Sequence, residues 1–174
     1  MKKNEKYNAN YFSENELKNI KFKRLGKKVL ISKNVVIVGS SNISIGSNVR
    51  IDGYVHLIAP KKDLKIGSYV HIGAFSYLSA QEGIELKSFS GLSQSVKLYS
   101  VSDDYSGNSL TNPTTGKKFI NLIKGKIVIG KHVNVGANSV ILPNVSISNG
   151  ASVGSFSLVN KNLKGNYLLL DLFD

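Results

Sequence analysis

From residue 127 to 154 the chain reads IVIGKHVNVGANSVILPNVSISNGASVG, and Ile127, Ile129, Val133, Val135, Ile141, Val145, Ile147 and Val153 return at intervals of two, four and six. An amphipathic helix would repeat its apolar face every three to four residues, and a lone strand would alternate and stop at a turn. Neither fits. A nine-residue pattern (apolar, any, apolar, small or polar, any, any, small or Val, any, apolar) recurs six times across the chain. The copies are VLISKNVVI from Val29, ISIGSNVRI from Ile43, LKIGSYVHI from Leu64, IELKSFSGL from Ile84, IVIGKHVNV from Ile127 and VSISNGASV from Val145. A six-residue period inside a repeat near 18 residues predicts three short strands and three corners per coil, stacked as a triangular prism. The aliphatic residues point inward, and Gly or Asn-like residues are expected to turn the corners.

Two segments stand outside the coils. Residues 13–20, SENELKNI, place Ser13 three positions before Glu16, a capping-box spacing, with Leu17 and Ile20 on one side. They predict a short helix that caps the open end of the stack. Residues 99–126, YSVSDDYSGNSLTNPTTGKKFINLIKGK, are dense in Ser, Asp, Asn and Gly and carry no six-residue register. They predict a long excursion from a rigid scaffold, and such loops are more often functional than idle. The expected organisation is therefore a helical cap (1–24), a prism (25–163) interrupted by the excursion, and a short tail (164–174).

The 174 residues suffice for one core and include no cysteine, which removes disulfides, thiolate metal sites and a cysteine nucleophile. The N-terminus lacks a signal-like apolar segment, and no stretch reaches the ~20 apolar residues of a membrane span, so a soluble, cytoplasmic protein without stable membrane insertion is expected. The formal charge of +12 points to an anionic partner. No recognition motif accompanies it, so nucleic acid is not the expected partner.

The units IGSNVR, IDGYVH, IGSYVH, IGAFSY, IGKHVN, VGANSV and VGSFSL resemble the hexapeptide repeats of the left-handed parallel β-helix, over residues 25–159. The likeness implies an all-β fold and, with the excursion at this position, an acyltransferase. It is nearest to sugar O-acetyltransferases of the galactoside and maltose type and of O-antigen and capsule clusters, through KLYSVSDDYSG and VGANSVILPNVSISNGASVGSFSLVNK. It implies acetyl-CoA as donor, bound in a groove between subunits of a homotrimer. By the same likeness Ala137 and Ser155 fall where backbone contacts the pantetheine arm, and Asn160 and Lys161 where polar and basic residues approach the nucleotide end. The tail NLKGNYLLLDLFD lacks the proline-containing basic motif usual in relatives. Either it packs differently or it belongs to a truncated, impaired product.

Transfer to a hydroxyl requires a base. The galactoside-type enzymes use a loop histidine, and Asp103 stands in its place, followed by Asp104. A neighbouring like charge and burial would raise an aspartate toward a useful range, while the same residues could simply form an Asx turn opening the loop. His71 and Arg50 share the eighth position of successive copies, with Asn134 and Ser152 further along, a polar column expected on one corner of the prism. His71 is the favoured base or proton partner, paired with Asp103. His132 competes, and His56 reads as a surface residue. No two histidines have the short spacing of a zinc site, so no metal is expected. The expected activity is O-acetylation of a sugar hydroxyl in surface-polysaccharide synthesis. The alternatives are N-acetylation of a nucleotide-linked amino sugar, whose amine needs less base, or a catalytically impaired scaffold.

Overall fold

The computed structural model describes residues 10–165 and the backbone of Leu168–Leu169. Three parallel sheets form the walls of a left-handed triangular prism. The first sheet runs through Arg24–Leu25, Ile43–Ile45, Leu64–Ile66, Ile84–Leu86, Ile127–Ile129 and Ser146–Ile147. The second runs through Val29–Ile31, Val49–Ile51, His71–Ile72, Gly91–Leu92, Asn134–Val135 and Ser152–Val153, and Leu168–Leu169 adds a rung. The third runs through Val36–Val38, His56–Ile58, Tyr77–Ser79, Lys97–Tyr99, Val140–Ile141 and Leu158–Val159. Ile45, Ile51, Leu57 and their equivalents in the later coils point inward and are buried, while Leu25 and Ile37 of the first coil are partly buried. The core is thus a stack of aliphatic triangles, each closing on the next.

One repeat is out of phase with the sequence reading. Val29 pairs with Val49 on the second sheet, so the counterpart of Ile43–Ile45 on the first sheet begins with Lys23 and continues as Arg24–Leu25. The terminal coil has solvent on one side, which lets Lys23 replace an aliphatic residue and send its ammonium to Asp63 at 2.8 Å.

The corners also differ from expectation. Tyr54, Tyr69, Phe75, Phe89 and His132 occupy the left-handed region at φ 57–62° or 65° alongside Asn48 and Asn138. Their rings stack between coils, with centroids 5.1 Å apart for Tyr54 and Phe75, 4.8 Å for Tyr69 and Phe89 and 5.1 Å for Phe89 and His132. That spacing matches the rise between rungs, so stacking and inter-coil hydrogen bonds offset the backbone strain. Glycine is required for a different reason: a Cβ on Gly46 or Gly130 would sit 2.6 Å from backbone of the next coil.

At the open end, helix Glu14–Asn19 is capped by Ser13, whose hydroxyl accepts the Glu16 N–H while the Glu16 carboxylate accepts the Ser13 N–H. Leu17 is buried against the first coil, and Phe12, Ile20 and Phe22 pack around it.

The excursion is more ordered than its composition suggests. Val101–Asp103 pairs antiparallel with Leu122–Lys124, in register Val101 to Lys124 and Asp103 to Leu122. Its neck is closed by Ser100, which is fully buried and donates to the Ser79 carbonyl at 2.6 Å while accepting the Glu82 N–H at 2.9 Å. The Gly125 N–H returns to the Ser100 carbonyl, and Lys126 pairs with Glu85.

Candidate active site

Arg50, His71, Gly91, Asn134 and Ser152 are register partners on successive strands of the second sheet. The polar column therefore lies along a face of the prism rather than a corner, because each residue is the outward member between two buried ones. Gly91 interrupts it. The carboxylate that serves this column is Asp52, a residue the sequence reading passed over. Its Oδ2 lies 2.8 Å from His71 Nε2 and its Oδ1 accepts from Arg50 Nε at 2.7 Å. Burial alone would raise the Asp52 carboxyl, yet the hydrogen bonds from His71 and Arg50 outweigh it and hold the group below the usual carboxylate range. Within one chain, then, the orienting partner of His71 is Asp52 and not Asp103.

Asp103 sits half-buried at the end of the first ribbon strand, opposite Leu122. Asp104 turns into the loop, where its carboxylate accepts the Ser106 N–H at 2.9 Å and the Asn121 side-chain amide at 2.9 Å. Those bonds, the Ser106 backbone N–H foremost, lower its pKa, the reverse of the rise expected of a base. His132 is a rung of the corner ladder on Phe89, and His56 tilts against Tyr77 on the third sheet. Among the described residues no three His, Asp or Glu side chains gather as a metal site.

Ala137 and Ser155 lie one coil apart on the corner between the second and third sheets, linked through the Phe156 N–H to the Ala137 carbonyl at 2.8 Å. Asp52 and Ser93 occupy the same side of that corner in earlier coils, two rungs from each other. Asn160 and Lys161 are one strand further on. With Leu158, Leu163 and Lys164 they line a depression of about 350 Å³ at the end of the stack. The structure thus brings Ala137 and Ser155 together and sets Asn160 and Lys161 apart from them. Apart from the backbone of Leu168–Leu169, the tail beyond residue 165 lies outside the described residues.

No profile of a known protein family matches the chain. It is 36% identical over 152 residues, 87% of its length and 79% of the relative's, to a dTDP-4-amino-4,6-dideoxy-D-glucose acyltransferase of Escherichia coli. The chain belongs to the hexapeptide-repeat β-helix acyltransferases. Among solved members, AntD of Bacillus cereus, an N-acyltransferase, superposes with TM-score 0.89 at 41% identity, covering 92% of this chain and 86% of AntD. AntD has been crystallised with dTDP-4-amino-4,6-dideoxyglucose and coenzyme A, and with dTDP and 3-hydroxybutyryl-CoA. A hexapeptide-repeat acetyltransferase of Vibrio cholerae, 22% identical with TM-score 0.55, shares the fold. This hexapeptide-repeat protein is accordingly an enzyme, an acyltransferase with acyl-CoA as donor.

Proposed function

We propose that the enzyme transfers an acyl group from acyl-CoA to the amine of a nucleotide-linked amino sugar of the dTDP-4-amino-4,6-dideoxyglucose type. The observation that carries this reading is the acceptor named for both close relatives, an amino sugar on a nucleotide. It supports the amine alternative over the sugar hydroxyl expected from the excursion. The chemistry agrees with the absence of a loop histidine. A neutral amine attacks the thioester carbonyl unaided, the tetrahedral intermediate expels the CoA thiolate, and a base need only collect the proton released as the C–N bond forms.

Asp103 is the group we assign to that proton. AntD has been solved as variants of one serine and of an aspartate ten positions later. In this chain only Ser93 and Asp103 stand as serine and aspartate at that separation. Asp104 supports Asp103 by holding the loop. The donor runs along the corner at Ala137 and Ser155, with Asn160 and Lys161 toward its nucleotide end. The enzyme acts as a cytoplasmic homotrimer, and its product enters surface-glycan assembly. The exposed Val36 and Val38 of the third sheet supply apolar surface for a neighbouring copy.

Incubation with dTDP-4-amino-4,6-dideoxyglucose and acetyl-CoA is expected to release free thiol and yield an amide detectable by mass spectrometry. No amide with any short acyl-CoA donor would overturn the proposal.

A further inference from the structure

Arg50 and His71 are neighbouring rungs on the second sheet, about 4.8 Å apart at the backbone, and their side chains are 56% and 51% exposed. Both are held from one side by Asp52, whose side chain is only 18% exposed. The carboxylate takes the guanidinium through Nε alone, so it fixes the plane of the fork without occupying the Nη edge. The hydroxyl of Tyr11 also touches this guanidinium, and one phenol cannot use all four Nη hydrogens. On His71 the Nε2 is committed to Asp52, and Nδ1 remains. A pre-oriented guanidinium edge beside an imidazole, on a flat wall with Gly91 on the next rung, suits a tetrahedral oxyanion better than a planar or apolar group.

Position narrows the anion. Arg50 and Tyr54 belong to one coil, His71 and Phe75 to the next, and Tyr54 and Phe75 stack at the adjoining corner with 54% and 59% of their surface exposed. A guanidinium and exposed π-faces side by side are what a nucleotide needs for its phosphates and base. From Asp52 to Ser93 is two rungs, about 10 Å, enough to place one hexose between a diphosphate at Arg50 and an amine near Ser93. The donor corner at Ala137 and Ser155 lies in the opposite direction along the prism.

We infer that Arg50 and His71, oriented by Asp52, bind the diphosphate of the nucleotide-linked acceptor, which lies along the coils on the N-terminal side of the excursion while the acyl donor lies along those on the C-terminal side. This rests on the acceptor being nucleotide-linked.

Calorimetry on the full-length protein with dTDP, thymidine and coenzyme A tests it. Arg50→Ala is expected to weaken dTDP about ten- to a hundredfold, with Arg50→Lys intermediate and His71→Ala severalfold, and to leave thymidine and coenzyme A unchanged. Wild-type binding of dTDP that Arg50→Ala leaves intact would overturn the assignment while sparing the proposed reaction. Equal losses for thymidine and coenzyme A, or loss of assembly by light scattering, would also overturn it, making the cluster structural. Failure of the wild type to bind dTDP while it acylates a free amino sugar would instead remove the nucleotide-linked acceptor on which the inference depends.

Discussion

Asp103 is where the proposed chemistry is most exposed to test. A general base contributes typically ~10²–10⁴-fold, and an amine asks less of it than a hydroxyl. Asp103→Asn is therefore expected to lower kcat about a hundredfold with the KM for acyl-CoA unchanged, measured by thiol release. A rise in KM with kcat intact would make Asp103 a binding group. At this scale the sequence was partly legible. The column of Arg50, His71, Asn134 and Ser152 followed from the repeat, because register partners share a repeat position. Asp52 was missed although a signal existed: in IDGYVH it stands where IGSYVH and IGKHVN have glycine. A charged side chain in a position usually reserved for close approach marks a corner that opens outward. The stacking of His132 on Phe89 was not legible, since periodicity places a corner residue but not its backbone conformation.

Among the elements, the coils behaved as the pattern predicts, and the departures came where one neighbour is absent or replaced. The terminal coil has solvent on one side, so Lys23 and Arg24 disguised its first strand. The excursion hid a two-stranded ribbon because its partners, Val101–Asp103 and Leu122–Lys124, are short and far apart in sequence. The ribbon hangs from a neck whose critical side chain is Ser100, buried with both of its hydroxyl bonds made. Ser100→Ala removes the acceptor for the Glu82 N–H and is expected to cost about 1–3 kcal/mol in urea unfolding. Faster amide exchange at Val101–Asp103 should accompany it. An unchanged midpoint would mean that the ribbon is held from elsewhere.

For the whole molecule, the prism is a rigid ruler. It fixes residues on rungs about 4.8 Å apart, with Ala137 and Ser155 at the corner between the second and third sheets, and sends the excursion out between the third and first sheets. A single copy leaves Val36 and Val38 exposed on the outer face of the third sheet. A closed trimer is expected in light scattering at micromolar concentration. A monomer that retains full activity would contradict the shared site.

Whether the acceptor is an amine on a nucleotide-linked sugar is decided by comparing initial rates with dTDP-4-amino-4,6-dideoxyglucose and with its 4-hydroxyl counterpart under the same acyl-CoA. An amide product and a kcat/KM at least about a hundredfold higher for the amine are expected, because a carboxylate base suffices for an amine and is weak for an alcohol. Equal or faster acylation of the hydroxyl compound would contradict an amine acceptor.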